Sequence, residues 1–263
     1  MIINKVFLCK NRLNSIFLFA RAILILSLGV GCGPSVDELE AVDYAPRPAD
    51  DWEVSTPAEQ GLDPSLVAEL YLNAAELETL YSLLVVKNSH LIAEDYFNGG
   101  SIANKTLVQS VSKSYISALV GIAIEQGCLS GLDQKMVDFF PELADQITDP
   151  RKKQITIRQM LQMRTGYPDE ETDQAYLDAL YWGKYPELIV EFPLVSDPGT
   201  QFHYSNLTYS WLAIMLHRAC GSDLKAFAQQ HLFQPTDTAV GDWLKDRDGH
   251  YIGSGGIHVT ARD

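Results

Sequence analysis

The chain has 263 residues, 46% of them hydrophobic and 10% aromatic, with a formal net charge of −14. That length and composition support one domain with a substantial buried core. A surface this acidic repels phosphate backbones and anionic head groups, which argues against nucleic-acid binding, and there is neither a low-complexity run nor a repeat of solenoid length.

Residues 1–31 carry Lys5, Lys10, Arg12 and Arg21 and no acid, followed by the apolar stretch Ala22–Val30. This stretch is shorter than the ~20 apolar residues of a transmembrane helix, and the order of basic and apolar segments reads as an export signal. Leu28-Gly29-Val30-Gly31-Cys32 resembles a bacterial lipoprotein cleavage site, with Cys32 as the lipidated residue. Plain secretion and an uncleaved anchor are the alternatives. Residues 32–51 are acidic and read as a tether. The expected place is the bacterial cell envelope, with membrane contact only through such an anchor, and residues 52–263 form the folded domain.

Within that domain Pro64–Leu80 has helical spacing, with Leu66, Leu70, Ala74, Leu77 and Leu80 on one side. Tyr81–Lys87 and Leu91–Tyr96 read as strands of a hairpin turning at Asn88-Ser89-His90. Ser110–Gln126 is a helix apolar nearly all round, as a core helix would be, and Gly127 stops it. Thr156 is an N-cap for a helix through Met163, and Gly166 follows. Residues 167–195 are aromatic and acidic, and periodicity does not order them. Tyr181, Trp182 and Tyr185 either line a pocket or pack beneath that loop. A turn at Asp197–Thr200 leads into a strand-like stretch, Gln201–Tyr204. Helices follow at Leu207–Ala219, closed by Gly221, and at Leu224–Leu232. Gly253–Gly256 reads as a flexible loop, and Thr260–Asp263 has the form of a capping box.

Cys128 and Cys220 each neighbour a glycine at a predicted helix end, as two buried thiols or as a disulfide. No metal-ligand spacing joins the six histidines, and neither a G-x-S-x-G elbow nor a phosphate-cradling loop is present.

Ser110 and Lys113 lie three apart and so share a helix face. A serine hydroxyl is a weak nucleophile until a neighbour takes its proton, and a lysine can do so as the neutral amine. At a helix start, Ser110 also gains from the positive end of the dipole. Tyr204 can share the proton relay, and Asn206 can orient Lys113 or a substrate amide. Taken singly, Ser110 also suits a helix N-cap and Lys113 a solvated surface. Two other Tyr-x-Asn triplets, at Tyr71 and Tyr96, precede Ser110 and read as structural.

Ser110-x-x-Lys113 followed by Tyr204-Ser205-Asn206 resembles the serine β-lactamase and penicillin-binding-protein superfamily, in its class C-like branch. That branch includes carboxylesterases, D-alanyl-D-alanine carboxypeptidases and 6-aminohexanoate-dimer hydrolases. The likeness extends over residues 57–63, 110–127, 155–166, 197–212 and 253–263. It implies an α+β fold: the N-terminal hairpin of an antiparallel sheet plus a large helical subdomain. It further implies Ser110 as the acylated nucleophile, Lys113 and Tyr204 as the proton-transfer pair, and Asn206 in contact with substrate or Lys113. The Ser110 N–H would be one oxyanion donor. No metal or organic cofactor is implied, and the expected partner is a small-molecule ester, amide, peptide or β-lactam. A non-catalytic, peptidoglycan- or penicillin-binding relative is the competing reading. The family's third motif, Lys-Thr-Gly or His-x-Gly on a late strand, does not follow residue 206. The expectation is therefore a domain whose C-terminal strands are missing.

Overall fold

The computed structural model describes residues 33–263. The export signal of residues 1–31 and the lipidation of Cys32 lie outside the described residues. The fold is α+β, and the chain divides into two compact units. Of the described residues, one is formed by 33–48 with Trp52–Asp95, the other by Ala49–Asp51 with Tyr96–Asp263.

In the first unit, α1 (Val36–Glu40) begins with a reciprocal capping box between Ser35 and Glu38. Residues 32–51 are expected as a tether; residues 33–48 of that segment belong to this unit. Glu94 donates its N–H to the Tyr44 carbonyl at 2.9 Å, and the Tyr44 ring stacks on Tyr71 at 5.6 Å. An aromatic side chain gains too much by leaving water to remain in a loose linker.

The helix expected over Pro64–Leu80 is shorter: α2 is Pro64–Ala74, capped by Asp63. Its buried side is Val67, Ala68, Tyr71 and Ala74, whereas Leu66, Leu70 and Leu77 are exposed. Two apolar stripes compete on this sequence. The one carrying Tyr71 goes inward, where its hydroxyl donates to the Leu83 carbonyl at 2.9 Å. The hairpin forms as expected from β2 (Ser82–Lys87) and β3 (His90–Tyr96). Asn88 and Ser89 make the turn with φ of 50° and 63°, and a two-residue connection joins antiparallel neighbours. The sheet is nevertheless mixed. The short β1 (Glu53–Val54) pairs parallel with β3, Glu53 opposite His90, giving the order β1-β3-β2. A two-residue strand is too short to show an alternating pattern in sequence.

In the second unit, α3 is Ser112–Glu125, preceded by a single 3-10 turn at Gln109–Val111. Ser112, Lys113, Ile116, Leu119, Val120 and Ala123 are buried, while Ser117, Ala118 and Gly121 are exposed. The helix is thus one-sided rather than enclosed, because small residues, not large apolar ones, form its other face. Thr156 and Gln159 make a capping box on α4 (Ile157–Leu161). The stretch without legible periodicity contains α5 (Gln174–Trp182) and α6 (Tyr185–Glu191). No strand forms over Gln201–Tyr204; its backbone is tied by a bond from His203 N–H to the Met163 carbonyl at 3.0 Å.

The spine of the unit is α7 (Asn206–Cys220), buried continuously from Asn206 to Leu216 and packed against α3, α4 and α6. Trp211, fully buried, donates its indole N–H to the Tyr185 carbonyl at 2.6 Å. Gly221, at φ 64°, takes the left-handed turn that ends α7. Beyond it, α8 (Leu224–Ala228) runs into a π-turn through Phe233.

Cys128 and Cys220 are free and half-buried rather than fully buried. They are in contact, and burial together with the neighbouring Cys128 thiol pushes Cys220 up to about 12. A second sheet joins β4 (Thr106–Leu107) to β5 (His258–Val259), antiparallel, with Thr106 opposite Val259. This long-range pairing was not legible in sequence. It carries the Gly253–Gly256 loop to the start of α3, where Val108 N–H meets the Ile257 carbonyl at 3.0 Å.

Candidate active site

Ser110 sits in the 3-10 turn that precedes α3, directly after Gln109, whose φ of 46° is left-handed. A side chain with a Cβ in that region stores strain, and such strain gathers at functional sites. The Ser110 hydroxyl makes no capping bond to the helix. It points at Tyr204 instead, 2.6 Å from the phenol oxygen. The N-cap alternative for Ser110 therefore fails.

Lys113, one turn on, is 6% exposed, so the solvated alternative fails as well. Its Nζ lies 2.9 Å from each of Ser110 Oγ, Tyr204 Oη and Asn206 Oδ1. A fourth contact, 2.8 Å, is to the Ser254 carbonyl. An ammonium has three N–H bonds, so four oxygens cannot each receive an unshared donor. One N–H is therefore shared between two of these oxygens. Hydroxyl, phenol and amine thus form a closed triangle in which a proton can pass between any two members.

Asn206 is the first residue of α7 and is held at three points. Its Oδ1 accepts from Lys113, its Nδ2 donates to Glu171 Oε1 at 3.2 Å, and its backbone N–H donates to Glu170 Oε2 at 3.0 Å. The Glu171 contact sets which way the amide faces.

All four residues singled out in sequence, Ser110, Lys113, Tyr204 and Asn206, therefore meet at one point. The sequence reading missed Glu171 and two further contributors. Ser254 belongs to the loop expected to be flexible, yet its carbonyl binds Lys113. A Cβ added at Gly253 would overlap the Tyr209 carbonyl, so only glycine lets this loop lie on α7. Glu170 is the second. It is 1% exposed and lies in a segment whose pattern gave no order; its acidic run was the only available signal.

Ser110 and Asn206 open into a cleft of about 600 Å³. Its walls include Leu107, Leu180, Tyr181, Tyr185 and Leu244, with Glu171, Lys245, Asp246 and Arg247 as charged members. Tyr181 and Tyr185 thus line a pocket, as one of the two sequence alternatives had it, while the Trp182 side chain is outside the described residues. This size suits a small molecule.

A family model described as Beta-lactamase matches residues 82–263. A 6-aminohexanoate-dimer hydrolase of Paenarthrobacter ureafaciens is 28% identical over 193 residues, covering 69% of this chain and 49% of that enzyme. The chain therefore spans about half the length of that relative. Among solved structures, D-alanine carboxypeptidase AmpC from Burkholderia cenocepacia has a TM-score of 0.54 at 18% identity, covering 74% of this chain and 60% of the other. EstCE1, a hydrolase with promiscuous acyltransferase activity, has a TM-score of 0.59 at 17% identity, covering 78% and 69%. At these identities the structural matches establish the fold.

Proposed function

The chain belongs to the Beta-lactamase family, and from that premise we propose that it is a serine hydrolase acting through an acyl-enzyme on Ser110. The observation that carries the proposal is the triangle of Ser110, Lys113 and Tyr204, all within 2.9 Å of one another.

In the proposed cycle the Lys113–Tyr204 pair takes the Ser110 proton as Oγ attacks a carbonyl carbon. The tetrahedral oxyanion is met by the Ser110 backbone N–H. As it collapses, the same pair returns the proton to the leaving alcohol or amine. Water then attacks the ester on Ser110, giving up a proton to the pair, which passes it to Oγ as the Oγ–carbon bond breaks, freeing the acid and restoring the Ser110 hydroxyl. Asn206 fixes Lys113 and offers its amide to the cleft.

The substrate class is a small ester, amide or β-lactam. The half-apolar cleft and the hydrolases among the relatives favour a general esterase or amidase over a dedicated β-lactamase. The basic and apolar N-terminal segment supports export to the envelope, with Cys32 as the lipid-bearing residue.

The test is covalent labelling of the complete chain with a fluorophosphonate and with a fluorescent penicillin. Wild-type should label and Ser110→Ala should not. A wild-type chain that binds muropeptides saturably but neither labels nor turns over an ester would instead make it a binding protein.

A further inference from the structure

Glu170 is a buried carboxylate that the proposed chemistry does not consume. Its Oε1 accepts from the Ser205 hydroxyl at 2.6 Å and from the Leu207 N–H at 3.1 Å, and its Oε2 accepts from the Asn206 N–H at 3.0 Å. Asn206 and Leu207 are the first two residues of α7, and the third, Thr208, donates its N–H to Ser205 Oγ at 3.1 Å. The unpaired amides at the start of a fifteen-residue helix are thus covered by one carboxylate from a separate segment together with the Ser205 hydroxyl.

Three donors converge on two carboxylate oxygens, so the ionised form is the one this pocket fits. The positive end of the α7 dipole favours the same form. Burial opposes it and raises the carboxyl above the ordinary glutamate range, against the bonds from Ser205, Asn206 and Leu207. A buried charge that costs desolvation and touches neither solvent nor the cleft calls for an explanation.

The explanation lies in what hangs from it. Tyr204, Ser205 and Asn206 are consecutive, and two of them bind Glu170 directly. Asn206 then links the two side chains, receiving from Lys113 at its side chain and giving to Glu170 from its backbone. No strand holds Gln201–Tyr204; the His203 N–H bond to the Met163 carbonyl ties its middle, and the carboxylate anchors the residues that follow, Ser205 to Leu207. We propose that Glu170 is a positioning residue of the Ser110 site, its carboxylate locking Tyr204-Ser205-Asn206 in the register at which Tyr204 Oη and Asn206 Oδ1 reach Lys113. This rests on the reading of Ser110 as nucleophile.

Glu170→Gln keeps the volume but turns one acceptor into a donor that faces a backbone N–H. The segment must then shift, and a displacement of about 1 Å at a reacting group costs up to a hundredfold. The experiment is steady-state hydrolysis of p-nitrophenyl acetate by the complete chain, with fluorophosphonate labelling of Ser110 and thermal melting on the same samples. The expected result is a kcat lower by about tenfold to a hundredfold with KM changed less than about twofold, and a matching fall in labelling rate per folded molecule. A merely structural cap would lower the melting temperature and leave kcat per folded molecule at the wild-type value, which overturns the inference. Should Glu170→Gln not fold, Glu170→Asp keeps the charge but retracts it by one methylene. Its kcat should lie below wild-type, and an unchanged kcat overturns the inference. A wild-type chain that neither labels nor turns over removes the Ser110 reading and this inference together, whereas equal kcat in wild-type and variants removes this inference alone.

Discussion

Lys113 and Lys152 lie in the same unit and are almost equally withdrawn from water, at 6% and 4% exposure. Their surroundings differ in kind. Lys152 Nζ donates to the carbonyls of Ile189, Val190 and Phe192 at 2.9, 2.8 and 2.6 Å, at the end of α6. Three carbonyls match three N–H bonds, and none of them can give or take a proton. That region is a cation closing a helix C-terminus, where the dipole is negative. Lys113 has two carbonyl-type partners, from Asn206 and Ser254, and two hydroxyl partners, Ser110 and Tyr204. Burial alone, then, does not mark a chemically active lysine. What separates Lys113 from Lys152 is the proton-bearing character of its partners.

The sharpest way to break this contrast is to remove each amine. Lys113→Ala should lower the rate of Ser110 labelling by about 10²–10⁴-fold, the usual worth of a positioned proton acceptor, without unfolding the chain. Labelling at the wild-type rate would mean that Tyr204 works without Lys113. Lys152→Met should do the reverse. The carbonyls of Val190 and Phe192 lose the Lys152 donor, while that of Ile189 keeps the Tyr167 hydroxyl; at roughly 1–3 kcal/mol, urea denaturation should show lost stability while labelling per folded molecule stays at wild-type. Impaired labelling in folded Lys152→Met would erase the distinction between the two regions.

The smallest expected effect is in pH dependence, where the carboxylates of the two regions have opposite signs. Glu170, raised by burial above 4.5, binds its proton more readily folded than unfolded. Its contribution to stability is complete below the unfolded value and fades as pH rises through the folded one. Asp149, beside Lys152, is lowered from 3.8, chiefly by its hydrogen bond from Arg151. Its contribution is present above the unfolded value and fades as pH falls through the folded one. The stability difference between wild-type and Glu170→Gln should therefore shift against wild-type as pH rises from 4.5. That between wild-type and Asp149→Asn should shift against wild-type as pH falls below 3.8, by a small amount because the pair is partly exposed. Equal signs in denaturation series would show that burial does not dominate at Glu170.

Local rules carried the sequence reading a long way. Ser110 and Lys113 share a face because helix geometry puts residues three apart together wherever the helix lies. The hairpin at Asn88–Ser89 and the caps at Thr156 and Gly221 follow from backbone preferences of single residues. The same reasoning chose the wrong stripe on α2, because an amphipathic pattern does not say which of two apolar faces will find a partner, and Tyr71 found one in Leu83. It could not see β1, β4 or β5, two residues each, since strands that short are defined by their partners and not by their own pattern.

For the site, the sequence by itself singled out Ser110, Lys113 one turn away and, through motif resemblance, Tyr204 and Asn206. Only the tertiary structure decided that Ser254 closes the ring around Lys113 and that Glu170 lies beneath the start of α7. A backbone carbonyl has no residue signature, since every position carries one. A buried carboxylate looks the same in sequence as a solvated one until the helix that needs its charge has been packed against it.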